Sequence, residues 1–495
     1  MTIEQQFLDL MKEITAYQEA LALIHWDLRT KIPKKGMEQR SEVIGLLSEK
    51  IHQLTTSEKM KTLIDQLKTT ATNPVIKRAV AESEKEYQKS SKIPDHEFKA
   101  FVTLRSKAET VWQAAREQND FSLLQPYLEQ LVEYNKKFAG YWGYQENKYD
   151  GLLDNYEPGL TTAILDPVFD KLKLALADLV EKISQSKVDV DVNKVLHYFP
   201  KQAQEQFSLA ILEKMGYDFA AGRLDETIHP FAININPKDV RVTTRYDEQD
   251  FRTAVFGTIH EGGHALYEQN IAPELYQTIL ATGTSMGIHE SQSLFWENFI
   301  GRSKGFWQSH LSLFKEMAPA GFHALDFESF YQAINEVKPS FIRIEADELT
   351  YSLHIIIRYE LEKSLIDGDL QVKDLPEAWN QKMEDYLGIR PATDKQGVLQ
   401  DIHWSAGDFG YFPTYALGYM YAAQLNHQLR QTIDVDPIIA SGDFEPIKAW
   451  LTEHVHRHGK MKKPLEIIQD VTGEGLNPDY LIDYLTKKYQ DIYQF

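Results

Sequence analysis

The chain has 495 residues, and a single small hydrophobic core usually supports far fewer. A small binding module is therefore excluded. Its 73 acidic against 53 basic residues give a formal net charge of −20, which disfavours nucleic acid or an anionic membrane as a partner. The absence of cysteine excludes disulfides, thiolate nucleophiles and Cys-ligated zinc, so histidine and carboxylate must hold any metal.

Residues 1 to about 215 predict a series of amphipathic helices. Apolar residues recur at three- and four-residue spacing from Phe7 to Ile24, and prolines interrupt the later pattern at positions 33, 74, 94, 158 and 200. The first residues lack the basic region and apolar stretch of a signal peptide, and no run of ~18 apolar residues occurs. We therefore expect a soluble, cytoplasmic protein with no membrane partner.

Strand-like alternation is confined to residues 217–246. It places side chains on one face of each of two strands, namely Phe231, Ile233 and Ile235, then Val240, Val242, Thr244 and Tyr246. Helical periodicity resumes at 250 and continues to the end. The predicted fold class is therefore mainly α with one small β-sheet.

The sequence His260-Glu261-Gly262-Gly263-His264 lies within the next predicted helix. Histidines four residues apart share one helix face, so both imidazoles can reach one zinc ion at roughly 2.0 to 2.1 Å. Glu261 would lie beside the metal, where it can deprotonate a bound water. The two central glycines weaken the helix, which a closely packed site would explain.

A catalytic zinc ion needs a third protein ligand, and the downstream candidates are Glu268, Glu274, Glu290 and Glu297. Glu268 is eight residues after His260, about 12 Å along the same helix, too far to share the ion. Glu274 follows a proline in a predicted turn. Glu290 opens a second predicted helix after a glycine-containing loop, so it is the predicted third ligand; its alternative role is a carboxylate favoured at a helix start.

Two arginines are candidates for binding a substrate carboxylate. Arg241 lies on the polar face of the second strand, and Arg343 lies at the start of a long predicted helix. Surface ion pairing is the alternative for both.

A third cluster is rich in aromatic and hydrogen-bonding residues. His403, Tyr411 and Tyr415 could donate hydrogen bonds to a tetrahedral intermediate. Core packing is the alternative, since aromatic residues at this density are usually buried.

Taken together, these residues resemble the carboxypeptidase Taq family of HExxH metallocarboxypeptidases. Six segments in the family's order carry the resemblance: His229-Pro230-Phe231, Asp239-Val240-Arg241-Val242-Thr243, the segment 260–264, His289-Glu290-Ser291-Gln292, Ile342 to Asp347, and Gly397 to Trp404, which includes Gln400. The resemblance implies a helical, saddle-shaped zincin with a deep groove, assembled as a homodimer. It would be one catalytic unit over 1–495, with residues 1–215 covering the groove and 216–495 binding zinc and substrate.

The resemblance also implies roles for individual residues. It makes the two motif histidines and Glu290 the metal ligands and Glu261 the general base. It places four residues near the substrate, namely His229, Arg241, Arg343 and Gln400, and makes His403 with Tyr411 or Tyr415 the oxyanion donors. One divalent metal per subunit is expected, with zinc favoured over cobalt and manganese.

The predicted reaction is hydrolysis of the C-terminal bond of peptides, with broad specificity and with the peptide extended along residues 239–246. Two alternatives stay open at this point. One is an oligopeptidase or dipeptidyl carboxypeptidase, because the zinc chemistry does not fix where the chain is cut. The other is a non-catalytic helical protein that binds peptides.

Overall fold

The computed structural model describes residues 1–495, and helices make up most of the chain. The α-helices are α1 (Ile3–Thr30), α2 (Met37–Thr55), α3 (Glu58–Thr70), α4 (Pro74–Ser91), α5 (Asp95–Gln118), α6 (Gln125–Trp142), α7 (Lys148–Leu153), α8 (Thr162–Ser184), α9 (Lys201–Met215), α10 (Arg252–Gln269), α11 (Met286–Leu294), α12 (Lys304–Met317), α13 (Phe327–Ile334), α14 (Tyr351–Asp367), α15 (Leu375–Leu387), α16 (Pro413–Thr432), α17 (Val435–Ser441), α18 (Glu445–His454), α19 (Pro464–Thr472) and α20 (Asp479–Tyr493). No helix is both long and apolar enough to cross a membrane.

One three-stranded sheet contains β1 (Leu224–Glu226), β2 (Ala232–Asn236) and β3 (Asp239–Thr244). The strand order is β1-β3-β2, with β1 parallel and β2 antiparallel to β3. The central strand β3 packs on α10, where the Thr258 hydroxyl donates to the Thr244 hydroxyl at 3.0 Å. The predicted fold class, mainly α with a small sheet beside the motif helix, is confirmed. β1 was not predicted from the sequence, because it is only three residues long.

Two hydrophobic cores organise the chain. The larger core joins residues from Ile93 to Tyr493, and the smaller core joins α1, α3 and α4 to the segment 271–280 after α10. The first four helices are therefore joined by apolar packing to the segment that follows the motif helix α10, as well as by the chain. The division of the chain at residue 215 remains a prediction.

The C-terminal half of α1 lies against the sheet. The ring of Trp26 is contacted by two guanidinium groups, at 5.3 Å from Arg223 and 4.7 Å from Arg241. Nearby, the Asn236 amide donates to the Glu19 carboxylate at 3.2 Å. These cation–π and polar contacts hold α1 beside the strands.

Candidate metal centre and active site

Close helix packing explains the two glycines of the motif. A Cβ atom on Gly263 would lie 2.4 Å from the carbonyl oxygen of Gln292, and one on Gly262 would lie 2.6 Å from Leu212. A Cβ atom on Gly418 of α16 would likewise lie 2.6 Å from the Cβ of Glu290. Glycine therefore lets α10, α11 and α16 approach closely enough to bring Glu290 across to the motif histidines.

His260, His264 and Glu290 present donor atoms that all lie within 4.8 Å of one another. The Glu290 Oε2 atom lies 3.8 Å from His260 Nε2 and 3.4 Å from His264 Nε2. A tetrahedral ion with bonds of roughly 2.0 to 2.1 Å needs ligand atoms about 3.3 Å apart, so the donor set fits one small divalent metal with little adjustment. Glu290 lies on α11, as the sequence predicted.

The other three candidate carboxylates lie away from this donor set. Glu297 contacts His260 and Glu268 contacts His289, as described below, and Glu274 lies in a short turn, Pro273–Leu275, that does not line the cavity of the site.

Glu297 orients the first histidine. Its Oε2 atom lies 2.9 Å from His260 Nδ1, and its Oε1 atom accepts from Arg302 Nη2 at 2.9 Å. Burial opposes ionisation of this carboxyl group, but Arg302 and His260 outweigh it and lower the pKa of Glu297 to about 2. A fixed carboxylate therefore holds the His260 ring with Nε2 facing the metal position.

A second histidine orients His264. The Nδ1 atoms of His264 and His289 lie 2.6 Å apart, and His289 Nε2 lies 2.8 Å from Glu268 Oε1. If His264 binds metal through Nε2, its Nδ1 carries the proton and donates to His289, which then donates to Glu268. Glu268 itself accepts from the Gly283 N–H and the Thr282 hydroxyl, each at 3.0 Å. This series of hydrogen bonds fixes the tautomer of both imidazole rings, those of His264 and His289.

Glu261 is buried beside the donor set, and its Oε2 atom has no hydrogen-bond partner within the protein. Burial raises the pKa of Glu261 to about 7. A buried carboxylate oxygen without a partner needs a ligand or a water, and this one lies next to the metal position.

The far end of the site is built on Arg343, which lies in the short turn Arg343–Glu345. Its Nε and Nη2 atoms donate to Asp401 Oδ1 at 3.1 and 2.9 Å, and its Nη1 donates to the Tyr351 hydroxyl at 3.2 Å. Arg358, which is fully buried, donates to the other oxygen of Asp401 at 2.7 Å. The Gln400 side-chain carbonyl accepts from Arg358 and from the Arg343 backbone N–H, both at 2.8 Å.

Two tyrosines of the aromatic cluster, Tyr411 and Tyr415, line the same cavity as the metal ligands and Arg343. The rings of Tyr411 and Tyr415 are 5.4 Å apart, and Tyr415 lies under the Arg343 guanidinium at 5.0 Å. Burial raises the pKa of both tyrosines, so both hydroxyls keep their protons. His403 lies behind them against Phe412, at 4.5 Å between ring centroids, and its Nδ1 atom is buried without a partner.

A cavity of about 860 Å³ contains this site. Eight of the residues predicted from sequence line it, namely His229, His260, Glu261, His264, Glu290, Arg343, Tyr411 and Tyr415. Three do not: Gln400 and His403 lie behind the wall, and Arg241 forms a bidentate ion pair with Asp239 at 2.7 and 2.8 Å beside Trp26.

The expectation that the peptide extends along residues 239–246 is wrong. β3 is the central strand, paired with β2 over residues 239–242 and with β1 over residues 242–244, and only Val240 of the stretch 239–246 lines the cavity. The edge strand β2 lines the cavity instead, through residues 232–234 together with the preceding Phe231.

The sequence did not assign the residues that support the ligands: Glu297 and Glu268 were considered only as a third ligand, and His289 and Arg358 were given no role. Glu297 follows Glu290 by seven residues, two helical turns, so helix periodicity could have placed both on one face. His289 stands next to Glu290, but nothing in the sequence links it to His264. Arg358 carries no sequence signal, because its partner Asp401 is 43 residues away.

The helical fold with a carboxylate-supported HExxH helix and a glutamate from a second helix defines a metallopeptidase. The chain belongs to the carboxypeptidase Taq (M32) metallopeptidase family, whose model matches residues 6–489. It is a metallocarboxypeptidase, a peptide hydrolase, as the sequence predicted.

Individual relatives resemble the chain over nearly its whole length. It is 56% identical to carboxypeptidase 1 of Bacillus subtilis, over 99% of both chains. It is 40% identical to thermostable carboxypeptidase 1 of Thermus thermophilus, over 99% of this chain and 98% of that one. The solved Apo-Mg structure of Pyrococcus furiosus carboxypeptidase is 37% identical and superimposes with a TM-score of 0.96, over 99% of each chain.

Proposed function

We propose that this metallocarboxypeptidase removes one residue at a time from the free C-terminus of peptides, with broad specificity. His260, His264 and Glu290 would hold one divalent ion, with zinc favoured, since two imidazoles and one carboxylate with an open position suit catalytic zinc. The same donor atoms can also bind cobalt or manganese, because affinity alone does not select zinc.

The observation that carries the exopeptidase assignment is an excess of positive charge at the far end of the site. Arg343 and Arg358 share a single carboxylate, Asp401. Burial lowers the pKa of His403 to about 4, so this nearby histidine adds no charge at neutral pH. One positive charge is left over beside the cavity, and a substrate's C-terminal carboxylate would neutralise it.

Different residues of the chain have different roles in the proposed reaction. When bound, a divalent metal polarises the scissile carbonyl and lowers the pKa of a water molecule. Glu261 takes the proton from that water through its unpartnered Oε2 and later gives it to the leaving amine. The hydroxyl of Tyr411 or Tyr415 donates a hydrogen bond to the oxygen that becomes negative. Arg343 binds the terminal carboxylate, and this contact restricts cutting to the last bond.

The free edge of β2 supports an extended substrate. Residues 231–234 line the cavity, and β2 pairs on one side only. A peptide added along this edge would gain main-chain hydrogen bonds that do not depend on its side chains, in keeping with broad specificity.

Mass spectrometry of an unblocked ten-residue peptide tests the proposal. We expect a ladder of products that lose one C-terminal residue at a time, abolished by a chelator and in Glu261→Gln with the metal still bound. Internal cuts or loss of dipeptides would refute the single-residue assignment. Activity in chelator-treated protein, with metal loss verified by elemental analysis, would refute the metal mechanism.

The homodimer and the cytoplasmic location remain predictions, as does the absence of nucleic-acid partners. Sedimentation equilibrium of the metal-loaded protein tests the dimer.

A further inference from the structure

A second cavity, of about 740 Å³, lies against the catalytic one. Six residues line both cavities, namely Glu297, Arg302, Ile344, Ala346, Asp347 and Glu348. One layer of residues therefore separates the two spaces.

The partition between the cavities is formed largely by the segment 343–348. It follows α13, which ends at Ile334, and precedes α14, which begins at Tyr351, so only the short turn Arg343–Glu345 gives it regular structure. Arg343 lines the catalytic cavity only, whereas its neighbour Ile344 lines both and is 73% exposed. Ile344 is thus a large apolar side chain held by few contacts.

The two products of the reaction would leave the catalytic cavity in a fixed order if it had only one opening. After the cut, the freed amino acid lies at Arg343, while the shortened peptide still occupies the edge of β2. The amino acid would then have to wait for the peptide to leave by the same opening. We propose that the second cavity receives the released amino acid and is its exit, a proposal that rests on the function proposed above.

The lining of the second cavity suits a small zwitterion. Its ionisable side chains have both signs, three basic and six acidic, namely Arg252, Arg302 and Lys338, and Asp250, Glu297, Glu336, Glu345, Asp347 and Glu348. Arg252 and Arg302 are paired with Asp250 and Glu297. Lys338 and Glu345 are exposed and have no ion-pair partner within 4.0 Å. Unpaired charges of both signs can bind the carboxylate and the ammonium group of an amino acid weakly. The amino acid would therefore pass through the second cavity and not remain bound there.

A separate exit lets the peptide stay bound while the amino acid leaves. The enzyme would then remove several residues from one peptide in a single encounter. With one shared opening, each encounter would remove only one residue.

Substitution of Gly257 tests the exit. Gly257 lines only the second cavity, and a Cβ atom there meets nothing within 4 Å, so Gly257→Phe would fill this space. Gly140→Phe is the matched control, because Gly140 is also a helical glycine with open space around its Cβ position, away from both cavities. Ile344→Trp adds bulk to the partition at an exposed site, where folding is little affected.

The assay counts residues lost per encounter. Each zinc-loaded protein is mixed with an N-terminally labelled ten-residue peptide, and a large excess of unlabelled peptide is added at once to capture enzyme that dissociates. Mass spectrometry then gives the ratio of labelled peptides that lost two or more residues to those that lost one. This ratio cancels any effect of a substitution on the first cut.

We expect a high ratio in the wild type and in Gly140→Phe, and a severalfold lower ratio in Gly257→Phe and Ile344→Trp. A wild type that removes one residue per encounter would overturn the exit, and so would equal ratios in all four proteins. Absence of any C-terminal loss would instead count against the proposed function, so the two failures are distinguishable.

Discussion

Replacement of Arg343 by methionine tests the assignment of the far end of the site most directly. Methionine keeps much of the side-chain length and the contact with the Tyr415 ring, but it removes the guanidinium group. Asp401 would still be paired with Arg358, at 2.7 Å, so the substitution leaves no buried carboxylate unpaired. We therefore expect the variant to fold and to bind metal.

The size of the effect follows from the burial of Arg343, which is only 5% exposed. Loss of one partner from a desolvated, hydrogen-bonded charge pair costs about 2 to 4 kcal/mol. Since about 1.4 kcal/mol corresponds to a tenfold change in rate, kcat/KM for peptides with a free C-terminus should fall by roughly 30- to 1000-fold. Peptides that are amidated at the C-terminus lack the charge, so their slow hydrolysis should change little.

Two control variants separate the loss of the positive charge from the loss of hydrogen-bond geometry and from a general loss of activity. Arg343→Lys keeps the charge but loses the planar fork, so an intermediate loss is expected. Arg241→Met removes the other arginine suggested by sequence, which lies outside the cavity, so the preference for a free carboxylate should persist. Equal loss on free and amidated peptides in Arg343→Met would refute the anchoring role.

Three further outcomes are expected from the structure. His289→Phe removes the acceptor that holds His264, so metal affinity should fall about 10- to 100-fold in a chelator-competition titration, and unchanged affinity would contradict the proposed chain of hydrogen bonds. Arg241→Met loses the contact with Trp26 and the ion pair with Asp239, so urea denaturation should show a free energy of unfolding lower by about 1 to 2 kcal/mol. Burial raises the pKa of Glu157 to about 7 against the hydrogen bonds it accepts from Tyr421 and Gly287, so its contribution to stability is complete below about pH 4.5 and is lost as pH rises through 7. Glu157→Gln should therefore be more stable relative to the wild type at pH 8 than at pH 5.5, and a pH-independent difference would contradict this reasoning.

The sequence by itself determined the parts of the site that depend on local periodicity. Two histidines four residues apart must share a helix face, and Glu290 follows in the next predicted helix, so the donor set could be predicted without any knowledge of the fold. The mainly helical class and the two longer strands followed from the same kind of pattern. Both arginines were found as candidates, but nothing local could show which one faces substrate.

Only the tertiary structure decided the contacts between distant segments. It placed Arg241 against Trp26 and Arg343 against Asp401, and it made β2 rather than β3 the edge strand in the cavity. It also linked His289 to His264. Periodicity tells which face of an element a side chain occupies, but not which other element packs against that face. That choice depends on how the helices and strands fit together across the two cores.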